Sequence, residues 1–241
     1  MNNTTKNEGN LFVQILIFIA YLLWYLVIFA VFQASVLSGL EVGKAVTALV
    51  ISAALTWWFS YQITKSIRKV QPDFQFKFNN LLNGRNLLML LVILIAMNAV
   101  NIGITLAENH ILGLASTGTT SNQAFLDYLS SAQGMQSLVL STIFYVLLAP
   151  VAEELLYRGL FLAYFDRFNA FWIGPVLSAL IFTFGHWTNS SSVLKMFLDA
   201  GTYLVMGLVL AFLYKKTGKL SNSVAVHGVN NLLSQVFSHM L

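Results

Sequence analysis

The chain has 241 residues, 57% of them hydrophobic and 9% charged, with a formal net charge of +4 and no cysteine. A soluble domain carries about 25% charged residues, so these charges cannot cover a water-facing surface of this size, and the bilayer is the expected solvent. Disulfides, thiolate metal sites and a cysteine nucleophile are excluded, and a nucleic-acid partner is not expected, because the basic residues sit in loops and form no stripe.

A polar segment, Met1 to Asn10, precedes the first apolar run, residues 11–37. That run is too long for the core of a cleaved signal peptide and reads as a retained transmembrane helix. Further apolar runs cover roughly residues 45–63, 87–106, 136–165, 171–187, 194–214 and 220–241. Each reaches about 17 residues or more, enough to span the hydrocarbon core as a helix. The expected class is all-α: a polytopic membrane protein with about seven helices, or eight if residues 125–129 form a re-entrant segment. Residues 116–123 read as an external loop tip. The chain reads as a single membrane domain over residues 1–241, with N-terminal helices and loops in 1–134 and a core that carries the chemistry in 135–241.

The loops give an orientation. Lys6, Lys65, Arg68, Lys69, Lys77, Arg85, Arg167, Lys215, Lys216 and Lys219 fall on one side, and only Lys44 and Lys195 on the other. The positive-inside rule then puts the N-terminus in the cytosol and the C-terminus outside. Trp57, Trp58, Tyr61 and Trp172 suit an inner aromatic belt, and Trp187 an outer one. In the basic loop 65–86, Phe74, Phe76 and Phe78 alternate with Gln75 and Lys77. Such a segment either lies on an anionic leaflet or is an ordinary cytosolic loop with a few buried aromatics.

Polar groups deep in a bilayer are costly, about 2.5–3.5 kcal/mol for a charge at the centre, and they need partners or a water-filled cavity. The fourth run holds Glu153, Glu154 and Arg158. Glu154 and Arg158 lie four apart on one face and can pair. Glu153 points about 100° away from Glu154 and faces a different neighbour. Pro150 removes a backbone donor just before the pair. The fifth run carries Phe182 and His186, and the seventh carries His227 and Asn231, each pair four apart. Peptide hydrolysis needs a base to activate water and donors to hold an oxyanion. Glu153 suits the base, His186 can hold the same water, and His227 and Asn231 can donate to the oxyanion. Structural readings stand beside these. Glu154 and Arg158 can be a helix lock, His186 an interfacial residue, and His227 with Asn231 inter-helix glue. Asp199 faces either the cavity or the outer interface. Asn98 and Asn101 read as packing or substrate-pathway residues, Tyr157 as a neighbour of the site, His110 and His239 as solvated, and Gly201 and Gly207 as close-packing positions.

The set resembles the CaaX protease and bacteriocin-processing family, relatives of the type II CaaX prenyl endopeptidase. Its first motif, two glutamates followed after three residues by arginine, matches Glu153, Glu154 and Arg158. Its second matches Phe182 and His186, and its third His227 and Asn231. The motifs occur in order, each on its own apolar run, and the resemblance covers about residues 136–241. It implies an intramembrane endopeptidase with its site between helices. Glu153 and His186 would activate water, and His227 and Asn231 would form the oxyanion hole. Glu154, Arg158, Phe182 and Tyr157 would give support. Members were once described as metalloproteases, and zinc held by Glu153, His186 and His227 is the alternative. The zincin pair of histidines on one helix is missing, so a glutamate mechanism without metal or cofactor is the expectation. The short chain and compact loops point to a bacterial cell membrane, where prenylated substrates are generally lacking. The expected partners are therefore the lipid bilayer and a bacterial peptide or membrane-protein segment. Bacteriocin self-immunity, or peptide capture without hydrolysis, is the alternative role. A proton-relaying transporter would show inverted repeats or matching broken helices, and the sequence has none.

Overall fold

A computed structural model describes residues 10–37, 42–79, 81–112, 120, 124, 127–128, 135–166, 171–187 and 192–240. The described residues form helices and no strand. They are α1 (Leu11–Leu37), α2 (Val42–Arg68), α3 (Gly84–Leu112), α4 (residues 135–165), α5 (Ile173–Gly185), α6 (Val193–Thr217) and α7 (Leu220–Met240). The expected all-α membrane architecture holds, with helix ends within a few residues of the apolar runs. Most of residues 116–123 and of the re-entrant segment 125–129 lies outside the described residues.

Helices α1, α2, α3, α4 and α6 are long and apolar enough to cross a membrane. The other two depart from the expectation of uniform spans, for different reasons. α5 has 13 residues, about 20 Å of helix, well short of a hydrocarbon core of about 30 Å. α7 has the length, with 21 residues, but its inward face is Ser221, Asn222, Ser223, His227 and Asn230, all buried. These side chains lower its mean hydropathy.

Helix α4 sits at the centre and touches α1, α2, α5, α6 and α7. α1 docks on it through a stripe of Gln14, Phe18, Tyr25, Ile28 and Phe32, all buried, while Phe12, Leu16, Leu23 and Val27 face outward. The spacing of three, four and seven residues is that of one helix face. Phe32 stacks on Phe144 with centroids 4.1 Å apart, and Phe18 meets Phe161 edge-on at 5.5 Å. α1 therefore grips α4 on both sides of its middle.

Polar side chains tie the remaining helices. Asn86 of α3 and Asn222 of α7 exchange hydrogen bonds at 3.1 and 3.2 Å, and Asn98 donates to Asn230 at 3.4 Å. Asn98 thus packs α3 on α7. Asp199 is buried and accepts from Lys195 at 2.9 Å, and the same ammonium donates to Glu108 of α3 at 2.8 Å. Of the paired glycines, Gly207 is a close-packing position, since a Cβ there would come within 3.0 Å of Ala179. Gly201 is not packed in this way, because a Cβ there meets nothing within 4 Å among the described residues. In the basic loop, Phe74 is buried and its carbonyl accepts from Arg68 Nε at 3.1 Å, while Phe78 stays exposed. The loop folds onto the core at Phe74. The belt residues Trp57, Trp58, Tyr61, Trp172 and Trp187 are exposed.

Candidate active site

The site begins with the backbone of α4. Two π-helical turns, Phe144–Leu148 and Leu155–Leu160, flank the α-helical segment Ala149–Glu154. Such wide turns often mark functional positions in helices. Pro150 has no N–H for the carbonyl of Val146, four residues earlier. Gly228 of α7 lies against that carbonyl, so closely that a Cβ would stand 2.5 Å from its oxygen. One turn further along α7, Asn231 Nδ2 donates to the carbonyl of Tyr145 at 2.9 Å. α7 thus docks on backbone groups that the first π turn and Pro150 expose. Inside the bilayer these groups need a partner, and this docking places His227 beside the two glutamates.

Glu154 and Arg158 form the expected pair, with Oε1 2.9 Å from Nη1 and both side chains fully buried. The same Oε1 is 2.9 Å from His227 Nδ1. Arg158 also donates from Nη2 to the carbonyl of Gly207 at 3.2 Å and lies 4.4 Å over the Phe182 ring. One guanidinium therefore joins α4, α5 and α6. Phe182 is enclosed: its ring is 5.4 Å from Tyr157, 4.3 Å from His186 and 5.9 Å from His227. Tyr157 is a packing neighbour of the site through Phe182.

Glu153 turns the other way, as its 100° offset requires. Its Oε2 lies 3.8 Å from His186 Nε2 and 3.6 Å from His227 Nε2. That oxygen is buried and has no hydrogen-bond partner among the described residues. Oε1 accepts from the Tyr25 hydroxyl of α1 at 2.6 Å. Sequence reasoning missed Tyr25. Its burial on the inward stripe of α1 and its place beside Glu153 emerge only from the packing, where a buried hydroxyl needs a partner.

α5 stops at Gly185, and His186, just past its end, has non-helical backbone angles of φ −103° and ψ 9°. Its Nδ1 bonds the Phe182 carbonyl at 2.9 Å, which directs Nε2 toward Glu153. Tyr203 of α6 stacks on the imidazole at 4.7 Å and is itself bonded to Thr120 at 3.0 Å. Glu153, Glu154, Arg158, Phe182, His186 and His227 are therefore brought together. Asn231 stands at the edge, one amide hydrogen committed to Tyr145. Among the described residues, no three carboxylate or imidazole side chains form a set arranged to hold a metal ion.

Residues 135–233 match the type II CAAX prenyl endopeptidase Rce1-like family. The chain is also 30% identical over 92 residues, 38% of its length, to the UPF0177 protein YbdI of Lactococcus lactis subsp. lactis (strain IL1403), and the match spans 45% of that relative. No solved structure matches significantly. The matched segment runs from the start of α4 to just past Asn231, so it contains every residue of the three motifs and excludes α1, α2 and α3. With its motifs in order and its glutamates and histidines gathered around one buried carboxylate, the segment 135–233 is similar to the type II CAAX prenyl endopeptidase Rce1-like family, and the chain spans less than half the length of the curated relative it matches.

Proposed function

We propose that this integral membrane protein is an intramembrane endopeptidase that hydrolyses a membrane-associated peptide or protein segment with water activated by Glu153. The observation that carries the reading is the position of Glu153 Oε2. It is buried, holds no hydrogen bond among the described residues, and faces two imidazole Nε2 atoms at 3.6 and 3.8 Å. These separations are longer than a direct hydrogen bond, and a water that contacts the three atoms is the nucleophile of the proposed reaction.

In the proposed reaction, His186 Nε2 orients the water and Glu153 Oε2 takes one of its protons. The hydroxide adds to the peptide carbonyl carbon. Carrying a hydrogen on each ring nitrogen in this step, His227 donates from Nδ1 to Glu154 and from Nε2 to the oxyanion, beside the second amide hydrogen of Asn231. Glu153 then passes its proton to the departing nitrogen, the C–N bond breaks, and a carboxylic acid and an amine leave. Glu154 bridges Arg158 and His227 through one oxygen and holds the imidazole plane. The substrate is an apolar peptide or membrane-protein segment in a bacterial cell membrane. The N-terminus lies in the cytosol and the C-terminus outside.

The test is Glu153→Gln in purified, folded protein, assayed on quenched-fluorescent peptides with an apolar half. Loss of cleavage by roughly 10²–10⁴-fold is expected, the range for a general base, with little change in thermal stability. Cleavage at the wild-type rate would refute Glu153 as the base. Peptide binding without cleavage by the wild type would favour capture and an immunity role. Lasting inhibition by a chelator, reversed by zinc, would overturn the metal-free route.

A further inference from the structure

Glu153 has two oxygens, and the surroundings treat them differently. Oε1 is held by the Tyr25 hydroxyl at 2.6 Å, in the short range of hydrogen bonds to an ionised oxygen. Oε2 alone faces His186 and His227. The terminal torsion of a glutamate is broad and roughly two-fold, so an unheld carboxylate samples orientations in which neither oxygen points squarely at the histidines. Tyr25 cannot wander in turn. It is buried on α1 with Phe18 seven residues before it and Phe32 seven after, both locked on α4. Its ring also packs against Phe29 at 6.1 Å.

We infer that Tyr25 is a positioning residue for Glu153: its hydroxyl fixes Oε1 so that Oε2 is the oxygen that meets water, which makes α1 part of the working site although α1 lies outside the family match. This inference rests on the proposed peptidase reading for its kinetic consequence, but not for the contact itself. Tyr25 touches neither the water nor the peptide bond, so its loss lowers the turnover rate more than it changes substrate affinity.

The experiment uses the full chain in nanodiscs, as wild type, Tyr25→Phe, Glu153→Gln and Ile28→Val. Ile28 lies on the same buried stripe, and its variant perturbs α1 packing while sparing the hydroxyl. Two readouts are taken. One is cleavage of the quenched-fluorescent apolar peptides; the other is the infrared carboxyl and carboxylate bands of Glu153, identified by their disappearance in Glu153→Gln. Tyr25→Phe is expected to lower kcat roughly 10- to 100-fold, the scale of a misaligned reacting group, with KM within about two-fold and unchanged Tm. The Glu153 bands should shift. Ile28→Val should lower Tm slightly and leave kcat and the bands alone. Wild-type kcat in Tyr25→Phe, or equal loss of kcat in Ile28→Val, overturns the positioning role. If the wild type cleaves none of the peptides, or Glu153→Gln cleaves as well as wild type, the peptidase reading fails. The bands then decide the contact: unshifted bands in Tyr25→Phe overturn it, and shifted bands uphold it.

Discussion

Helices α3 and α4 are similar in length and both apolar, yet the molecule uses them in opposite ways. The spanning part of α3 covers Gly84–Ile111 with mean hydropathy 2.5 and has 11% of its most apolar window buried. That of α4 covers Ser137–Phe165 with mean hydropathy 1.7 and has 56% buried. Hydropathy marks both as able to cross a bilayer, but it does not say which stands at the centre. Charge does. α4 carries Glu153, Glu154 and Arg158 in mid-span, and at about 2.5–3.5 kcal/mol per charge in lipid that helix must be enclosed by its neighbours. α3 carries Asn86, Asn98 and Glu108, each used to reach a single neighbouring helix. In this chain the polar residues of the apolar runs are a map of inward faces.

The contrast is broken most severely at the α4 charges. Glu153→Gln is expected to remove roughly 10²–10⁴-fold of the hydrolytic rate while leaving the fold intact. Arg158→Met should instead attack the fold. It removes the cation paired with fully buried Glu154, at a cost of about 3–5 kcal/mol, seen as a large drop in thermal unfolding temperature in detergent. Its counterpart on α3, Asn98→Leu, removes one inter-helix hydrogen bond and should cost only about 0.6 kcal/mol. Equal losses for the two would erase the distinction between the helices. Glycines sharpen the same point on a smaller scale. Gly228→Ala sets a methyl against the Val146 carbonyl, a backbone atom 2.5 Å away, and should destabilise by about 1–3 kcal/mol. Gly201→Ala meets open space and should change stability by no more than about 1 kcal/mol, toward greater helix stability. The same unfolding assay ranks all four.

These effects also explain what could be read from the sequence. Charged and imidazole groups in apolar runs announce themselves by their cost, so Glu153, Glu154, Arg158, His186 and His227 were legible, as was the Glu154–Arg158 pairing from its spacing of four. Tyr25 was not, because a tyrosine in an apolar helix has the same appearance at a lipid interface and at a buried carboxylate. The π turns were hidden, since they alter the backbone path without altering hydropathy. Only Pro150 hinted at them, and the docking of Gly228 and Asn231 on freed carbonyls depends on that path. The short α5 was obscured by apolar residues that continue past its end, and the difference between Gly201 and Gly207 lies in neighbours that belong to another helix.

The central claim is that polar groups from α4, α5 and α7 meet around the Glu153 carboxylate. The absence of native cysteine makes it directly measurable in membranes with paired cysteine substitutions and a short bifunctional thiol reagent. Glu153→Cys should cross-link efficiently to His186→Cys and to His227→Cys, and not to Phe184→Cys, which is 77% exposed and close to His186 in sequence. Efficient capture at position 184, or none at both 186 and 227, would contradict the account.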